Sequence, residues 1–566
     1  MLQSKSFDKF WIILNLHRVQ CLLIGMLIIG IYGNFLWNPV VFDDQYFFDG
    51  TFHANYLNNG FGSELRWLPY ATMEWTHSLL GLDLIWFHLG NLILHIANAL
   101  ALLFFLQRLF DLVLRKDERC ANLDETATKL SNSWVAFFCV LIFSLHPAAV
   151  YAVTYLTQRS TLMATFFTII MLRLVIEGID RKKQSYLFAS AFAYSFAVTS
   201  KEHAVMAPAV AVSLVFLLKK PSKELFKQIG MSFLLYFFIA LFTFFQVKSQ
   251  NVLAQAYQNN GSELLSRLSF MDNGFPVSLA YPLSILTQTF LFFKYLLLWL
   301  LPDPAWMSID MYEDFAMRLW SWPYVLSLLG FIFYFIIAVR FLFRRGLYGL
   351  LGFGMLCPWF LFATEFSTVR IQEPFVLYRS YLWMAGGVAI FPYFMLKMPA
   401  KRTAAAVVCL LLLMVPLSWN RLQSFSHPYL LWDDAAILVE KKTDIPGVER
   451  IFYNRGIALF NLKHYPEAIQ DYSKALTIYP KYSYAYNNRG AVYLELKQYP
   501  KALSDFNIAI ALKADYPNSY FGRARVYEDT KNWDGAAADY LKLCSMGIAQ
   551  GCQKFKELKA TLGSLR

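Results

Sequence analysis

Apolar runs long enough to cross a bilayer recur through roughly the first 420 residues of this chain, and no other feature limits its fold so much. A bilayer core offers no water to backbone amides and carbonyls. A continuous apolar run there must satisfy them internally, which makes each run a helix. Composition agrees. Hydrophobic residues are 57% and charged residues 16%, where a soluble domain carries about a quarter charged. The net charge of +12 does not point to nucleic acid, because the Lys and Arg excess sits in short loops between apolar runs and so orients the chain in a membrane.

Runs near 21–37, 84–106, 133–145, a return run ending at Arg181, Lys182 and Lys183, a hairpin over 186–218, 228–246, 319–339, 347–362, 377–395 and 403–419 give about eleven crossings. The basic tail (Lys5, Lys9, Arg18) puts the N-terminus in the cytoplasm, and no small-residue cleavage site follows the first run, so that run reads as a retained span. The run 283–301 is read as re-entrant or interfacial. A full crossing there would put Arg340, Arg344 and Arg345 outside, against the charge bias. An odd number of crossings puts the C-terminus outside.

From about Thr443 the chain turns polar and repeats every 34 residues. Tyr453-Asn454-Arg455-Gly456 recurs as Asn487-Asn488-Arg489-Gly490, and Ala468, Ala502 and Ala536 align, as do Asp471, Asp505 and Asp539. Small residues let paired helices approach and aromatics fill the gap, which is the tetratricopeptide pattern. Three units with a terminal capping helix suffice for a stable array. The fold class expected is therefore all-α: a polytopic membrane helical bundle over 1–425, a linker over 426–448, and a C-terminal α-solenoid of repeats over 449–566. Cys544 and Cys552 straddle a helix corner in the last repeat, and a disulfide between them is expected in an extracytoplasmic domain. Cys21, Cys139, Cys357 and Cys409 lie in apolar runs as packing.

Chemistry concentrates on one side. The stretch Val40–Asp49 follows the first span and carries Asp43 and Asp44 among aromatics. Beside it, at the outer ends of the apolar runs, stand Arg66, His146, Arg159, Lys201, Glu202, His203, Glu365, Arg370, Glu373 and Arg379. Ionisable groups at membrane depth are costly and point to function. An acid can take a proton from a hydroxyl while fixed cations hold a phosphate as it leaves, with Arg suited to two phosphate oxygens at once. Each has a plainer reading: His146-Pro147 can simply end a helix, Lys201-Glu202 can be a local ion pair, and the stripe His88, Asn91, His95, Asn98 reads as helix-to-helix hydrogen bonding. Zinc-type ligand spacing, an NTPase glycine loop and a nucleophile elbow are missing from the sequence, which argues against ATP-driven pumping and soluble hydrolase chemistry.

The order of these motifs resembles the polytopic, lipid-sugar-dependent glycosyltransferases of the GT-C class, and within it the transmembrane O-mannosyltransferases that append tetratricopeptide repeats, with their bacterial relatives. The segments that carry the likeness are Phe42-Asp43-Asp44; Arg66-Trp67-Leu68-Pro69 followed by Phe87-His88-Leu89-Gly90-Asn91; His146-Pro147 with Gln158-Arg159-Ser160; Ser200-Lys201-Glu202; Thr287-Gln288 with Leu301-Pro302; and Tyr378-Arg379-Ser380-Tyr381-Leu382. Ser160, Thr161, Tyr378 and Trp383 depart from the family pattern. The resemblance implies a polyprenyl-phosphate-linked sugar donor, a catalytic acid from the first outer loop (Asp43 or Asp44), and donor-phosphate or acceptor contacts from Arg66, His146, Arg159, Lys201, Glu202, Glu373 and Arg379. It implies a protein acceptor recruited by the repeats on the outer side, in a bacterial inner membrane with the repeats periplasmic. The paired aspartates suit Mg²⁺ or Mn²⁺, while Arg and Lys alone can also handle a phosphate-linked donor. Two other expectations stand beside this one: a ligase or polymerase of lipid-linked glycans, and a non-catalytic scaffold whose repeats collect envelope proteins.

Overall fold

The computed structural model describes residues 17–42, 44, 48, 65–114, 125–249, 261–271, 277–371, 374–442 and 445–564. Asp43, Glu373 and Cys120 lie outside the described residues. The described elements are all helical apart from isolated bridge residues at Met311, Val369 and Phe375, and the chain divides into two units. The first is Met1–Ile309 with Glu313–His427, and the second is Asp310–Tyr312 with Pro428–Arg566.

The first unit contains α1 (His17–Tyr32), α2 (Trp67–Leu80), α3 (Leu84–Leu114), α4 (Glu125–Ser144), α5 (Pro147–Thr154), α6 (Arg159–Asp180), α7 (Gln184–Ser200) and α8 (Ala207–Leu218). It continues with α9 (Lys223–Ser249), α10 (Gly261–Met271), α11 (Ala280–Leu300), α12 (Tyr324–Arg344), α13 (Gly346–Phe362), α14 (Ser380–Gly387), α15 (Phe391–Met395) and α16 (Ala400–Ser424). Among the described residues, 8 helices are long and apolar enough to cross a membrane, and a ninth if α4 and α5, bent by 63° across Leu145-His146, form one span. These helices are compatible with a multi-pass membrane protein. The difference from about eleven expected crossings lies in short pieces. α7 has 17 residues and α8 has 12. The run expected over 377–395 is broken at Gly386-Gly387 and ahead of Pro392 into α14, a 3₁₀ turn and α15, where Gly loosens the backbone and Pro removes a helix donor.

The run expected to be re-entrant or interfacial forms the unbroken α11, in a segment long enough to span. Its bonding follows one loop from end to end. Ser284 Oγ accepts from the Arg370 amide at 3.1 Å, Gln288 donates to the Pro374 carbonyl, and the Tyr295 hydroxyl meets both the amide and carbonyl of Val376. At its far end the Trp299 carbonyl accepts from His146.

Close helix packing in this unit uses small residues. A Cβ on Gly352 would lie 2.5 Å from the Ala338 carbonyl and still closer to the Leu342 amide, so α12 and α13 meet backbone to backbone. The stripe on α3 stitches it to its neighbours. Asn91 donates to the carbonyls of Val153, Tyr155 and Leu156, Asn98 donates to Leu162, and His88 contacts the Asn38 carbonyl. His95 Nε2 donates to the Ser144 carbonyl, which leaves Nδ1 to accept from the Tyr381 hydroxyl at 2.7 Å.

The second unit is a helical solenoid. α17 (Pro428–Leu438) lies in the stretch read as a linker and packs on α18 (Glu449–Asn461). Then follow α19 (Tyr465–Ile478), α20 (Ser483–Glu495), α21 (Tyr499–Leu512), α22 (Pro517–Asp529), α23 (Trp533–Ser545) and the capping α24 (Ala549–Ser564). Each repeat is stapled the same way: Arg455, Arg489 and Arg523 make paired hydrogen bonds to Asp471, Asp505 and Asp539. The third donor group of each arginine reaches back one helix, to Asp433, Ser473 and Asn507 respectively. α17 therefore supplies what the second helix of a preceding repeat would supply. The turn after each first helix holds a lysine at positive φ: Lys463, Lys497 and Lys531 at 62°, 58° and 62°. Cys544 and Cys552 are joined, with Cα atoms 4.5 Å apart, tying α23 to α24.

Candidate functional site

The ionisable residues singled out in the sequence gather where helices of the first unit end in short 3₁₀ turns. Arg66 precedes α2 at φ 61°, a conformation that a side-chain-bearing residue adopts at a cost. Its guanidinium binds Glu202 through two nitrogens, at 3.0 and 2.5 Å. Glu202 and His203 belong to the turn Glu202–Met206 between α7 and α8. His203 Nδ1 lies 3.5 Å from Glu202, and its Nε2 lies 3.2 Å from Glu365. Glu365, in the turn Ala363–Ser367 after α13, is 1% exposed. Its other oxygen meets Arg370 at 2.8 Å and Arg379 at 3.1 Å. A continuous set of polar contacts thus links Arg66, Glu202, His203 and Glu365, with Arg370 and Arg379 both on the last carboxylate.

Lys201 flanks this line and is 4% exposed. Its ammonium donates to Gln158 Oε1 at 2.8 Å and Thr161 Oγ1 at 2.6 Å, and sits 5.2 Å from the centre of the Tyr378 ring. Among the described residues it has no carboxylate in hydrogen-bond contact. Burial, reinforced by Arg66 and opposed by Glu202, holds the Lys201 ammonium well below the ordinary lysine range, with Arg379 adding to the depression. Arg379 faces the same Tyr378 ring at 5.9 Å.

The acidic loop reaches this neighbourhood through aromatic contacts. Phe42 packs edge-on against Tyr155, and Tyr155 against Tyr378. Asp44 is buried, and its two oxygens accept the amides of Leu156 and Thr157 at 2.9 Å each. Two amide donors stabilise a carboxylate in its ionised form and fix its direction. They also pin the first outer loop to the turn that opens α6. Among the described residues no three His, Cys, Asp or Glu side chains come together as a metal-ligand set.

Two expected site residues are engaged elsewhere. His146 caps α5: its Nδ1 accepts the Ala148 amide, so its Nε2 donates to Trp299. Arg159 is buried between α2, α3 and α6, donating to the Phe87 carbonyl at 2.9 Å, to Asn91, and weakly to Thr72 and Thr76. Gly90 makes room for it, because a Cβ there would lie 2.7 Å from Arg159 Nη2. His203, Glu365 and Arg370 join the cluster without a motif of their own in the sequence. Their only signal is position, since all three are charged or titratable groups at the end of an apolar run.

Comparison with known proteins bears on the repeats. Two tetratricopeptide-repeat family profiles match, one over residues 449–482 and one over 472–504. No curated protein matches the chain. Among solved structures, the first TPR of Spaghetti (RPAP3) bound to an HSP90 peptide is 24% identical, covers 20% of this chain and 93% of its own, and has a TM-score of 0.20. The Arabidopsis OM64 TPR domain is 22% identical with 20% and 94% covered and a TM-score of 0.19. Pseudomonas aeruginosa pilF is 16% identical with 27% and 82% covered and a TM-score of 0.18. The C-terminal unit is thus an array of tetratricopeptide repeats, a class that generally binds protein partners.

Proposed function

We propose that the chain is a membrane glycosyltransferase that moves a sugar from a polyprenyl-phosphate carrier to a hydroxyl of a protein acceptor on the extracytoplasmic side. The observation that carries this reading is Lys201, a buried ammonium held by neutral oxygens and one aromatic face, beside Arg379. A buried cation without a contacting counter-charge is costly. A phosphate arriving beside it would offset that cost and lift the depressed Lys201 pKa. The membrane setting makes a lipid-borne phosphate the natural anion.

The reaction follows from these parts. A carboxylate of the first outer loop takes the proton from the acceptor hydroxyl. The freed oxygen attacks the anomeric carbon, the bond from that carbon to the phosphate oxygen breaks, and the electron pair leaves with the polyprenyl phosphate. One direct displacement inverts the anomeric centre. Lys201 and Arg379 stabilise the charge that develops on the departing phosphate. The two amides bound to Asp44 favour it as the anchor of the loop and leave proton abstraction to Asp43. No step requires a metal, and the aspartate pair remains the place where Mg²⁺ or Mn²⁺ would be held. The tetratricopeptide unit recruits the acceptor.

The test is sugar transfer from a labelled polyprenyl-phosphate sugar by membranes carrying the protein. Lys201→Met is expected to lose at least about a hundredfold in rate, as for removal of one transition-state donor. Undiminished transfer by that variant contradicts the assignment. Rescue of a deletion strain by the repeat unit on a single-span anchor supports the non-catalytic scaffold instead, and transfer to glycan but not protein supports the lipid-linked glycan ligase.

A further inference from the structure

Glu365 faces three nitrogen groups, two from the stretch that follows it, Arg370 and Arg379, and one from a distant turn, His203. Arg370 and Arg379 share its Oε2, and His203 lies against its Oε1. The carboxylate is 1% exposed, so water does not hold these groups in place. His203 in turn faces the Arg66–Glu202 pair. The proposed reaction gives neither Glu365 nor His203 a chemical task.

We propose that Glu365 is a positioning residue for that reaction: it fixes the Arg379 guanidinium at the donor phosphate, and His203 couples this fixed point to Arg66 at the start of α2. The inference rests on the glycosyltransferase reading. An arginine on a flexible stem contributes most to a transition state when its direction is set beforehand. One oxygen shared by two guanidiniums sets both. The arrangement differs from a simple counter-charge in a measurable way. A counter-charge changes the field at the phosphate whatever Arg379 does, whereas a positioning residue acts only through Arg379.

A double-mutant cycle on the full-length protein in lipid vesicles separates the two. Glu365→Gln is expected to lower kcat at least about tenfold without raising the KM for the polyprenyl-phosphate sugar. Glu365→Asp, which keeps the charge, is expected to restore part of that loss. In an Arg379→Lys background Glu365→Gln is expected to cost less than about twofold, because the group it positions is already gone. Equal losses in both backgrounds overturn the proposal, as does a Glu365→Gln enzyme with wild-type kcat. If Glu365→Gln fails to fold, His203→Gln replaces it in the same cycle, and additive losses there overturn the coupling. A wild-type protein that transfers no sugar from the lipid donor refutes the functional reading itself, which is a different result from additive losses in an active enzyme.

Discussion

Removing Arg489 tests the staple that repeats through the C-terminal unit. Its Nε and Nη2 bind the two oxygens of Asp505 at 2.8 and 2.9 Å, and its Nη1 binds Ser473 at 3.0 Å. Asp505 is 4% exposed as a residue. Arg489→Ala therefore leaves a carboxylate inside the solenoid without its cation. Charges about 4 Å apart at an effective dielectric constant near 20 attract by about 4 kcal/mol, and breaking a buried pair from one side costs about 3–5 kcal/mol. The Arg489 side chain is 19% exposed, which argues for the lower end, about 3 kcal/mol. Urea unfolding of Pro428–Arg566 followed by circular dichroism reads this directly. With a slope near 2 kcal/mol per molar for a unit of this size, the midpoint falls by about 1.5 M. Asp505→Ala added to Arg489→Ala is expected to recover about 1–2 kcal/mol, because it removes the orphaned charge. A midpoint shift below about 0.3 M, or strictly additive costs, would show that the Arg489–Asp505 pair does not hold the repeat together.

Three other perturbations have defined directions. Lys497 sits at φ 58° in a turn, so Lys497→Gly is expected to raise the unfolding free energy of the repeat unit by about 0.5–1 kcal/mol, and a loss would show that its side chain matters more than its backbone. Opening the Cys544–Cys552 link, which closes a loop of sequence separation 8, with Cys544→Ser is expected to cost about 2–3 kcal/mol in the same assay. Gly352→Ala drives a methyl group onto the Leu342 and Ala338 backbone. It is expected to cost about 1–3 kcal/mol, read as a lower melting temperature of the detergent-purified full chain, and an unchanged melting temperature would contradict the close packing of α12 and α13.

Much of the fold was legible because its signals are periodic. The 34-residue spacing of Arg455, Arg489 and Arg523 exposes the solenoid, and apolar length exposes the membrane helices. α17 escaped notice because it repeats nothing. It is fixed by its packing on α18 and by the Asp433–Arg455 pair, rather than by a pattern. The breaks within 377–395 are legible only as Gly386, Gly387 and Pro392, residues that an average over hydropathy conceals. α11 carries two signals at once: its apolar length suits a crossing, and Ser284, Gln288 and Tyr295 bond it along a neighbouring loop that no sequence pattern announces. In the site, Arg66, Glu202 and Arg379 were visible as motif residues. Glu365 and His203 are 162 residues apart in sequence, and only the fold brings them within 3.2 Å. Arg159 and His146 carry equally conspicuous motifs, and the fold places their bonds with neighbouring backbone and neutral side chains rather than with the Glu365 cluster.

Transfer of a sugar to protein is the activity proposed for this chain. Intact-mass spectrometry of envelope proteins from cells carrying either the wild-type chain or Asp43→Asn tests it most directly. One or a few proteins are expected to lose a single fixed mass, that of one sugar or oligosaccharide, in the variant. Identical protein masses in both strains, with the variant folded and inserted, would contradict it.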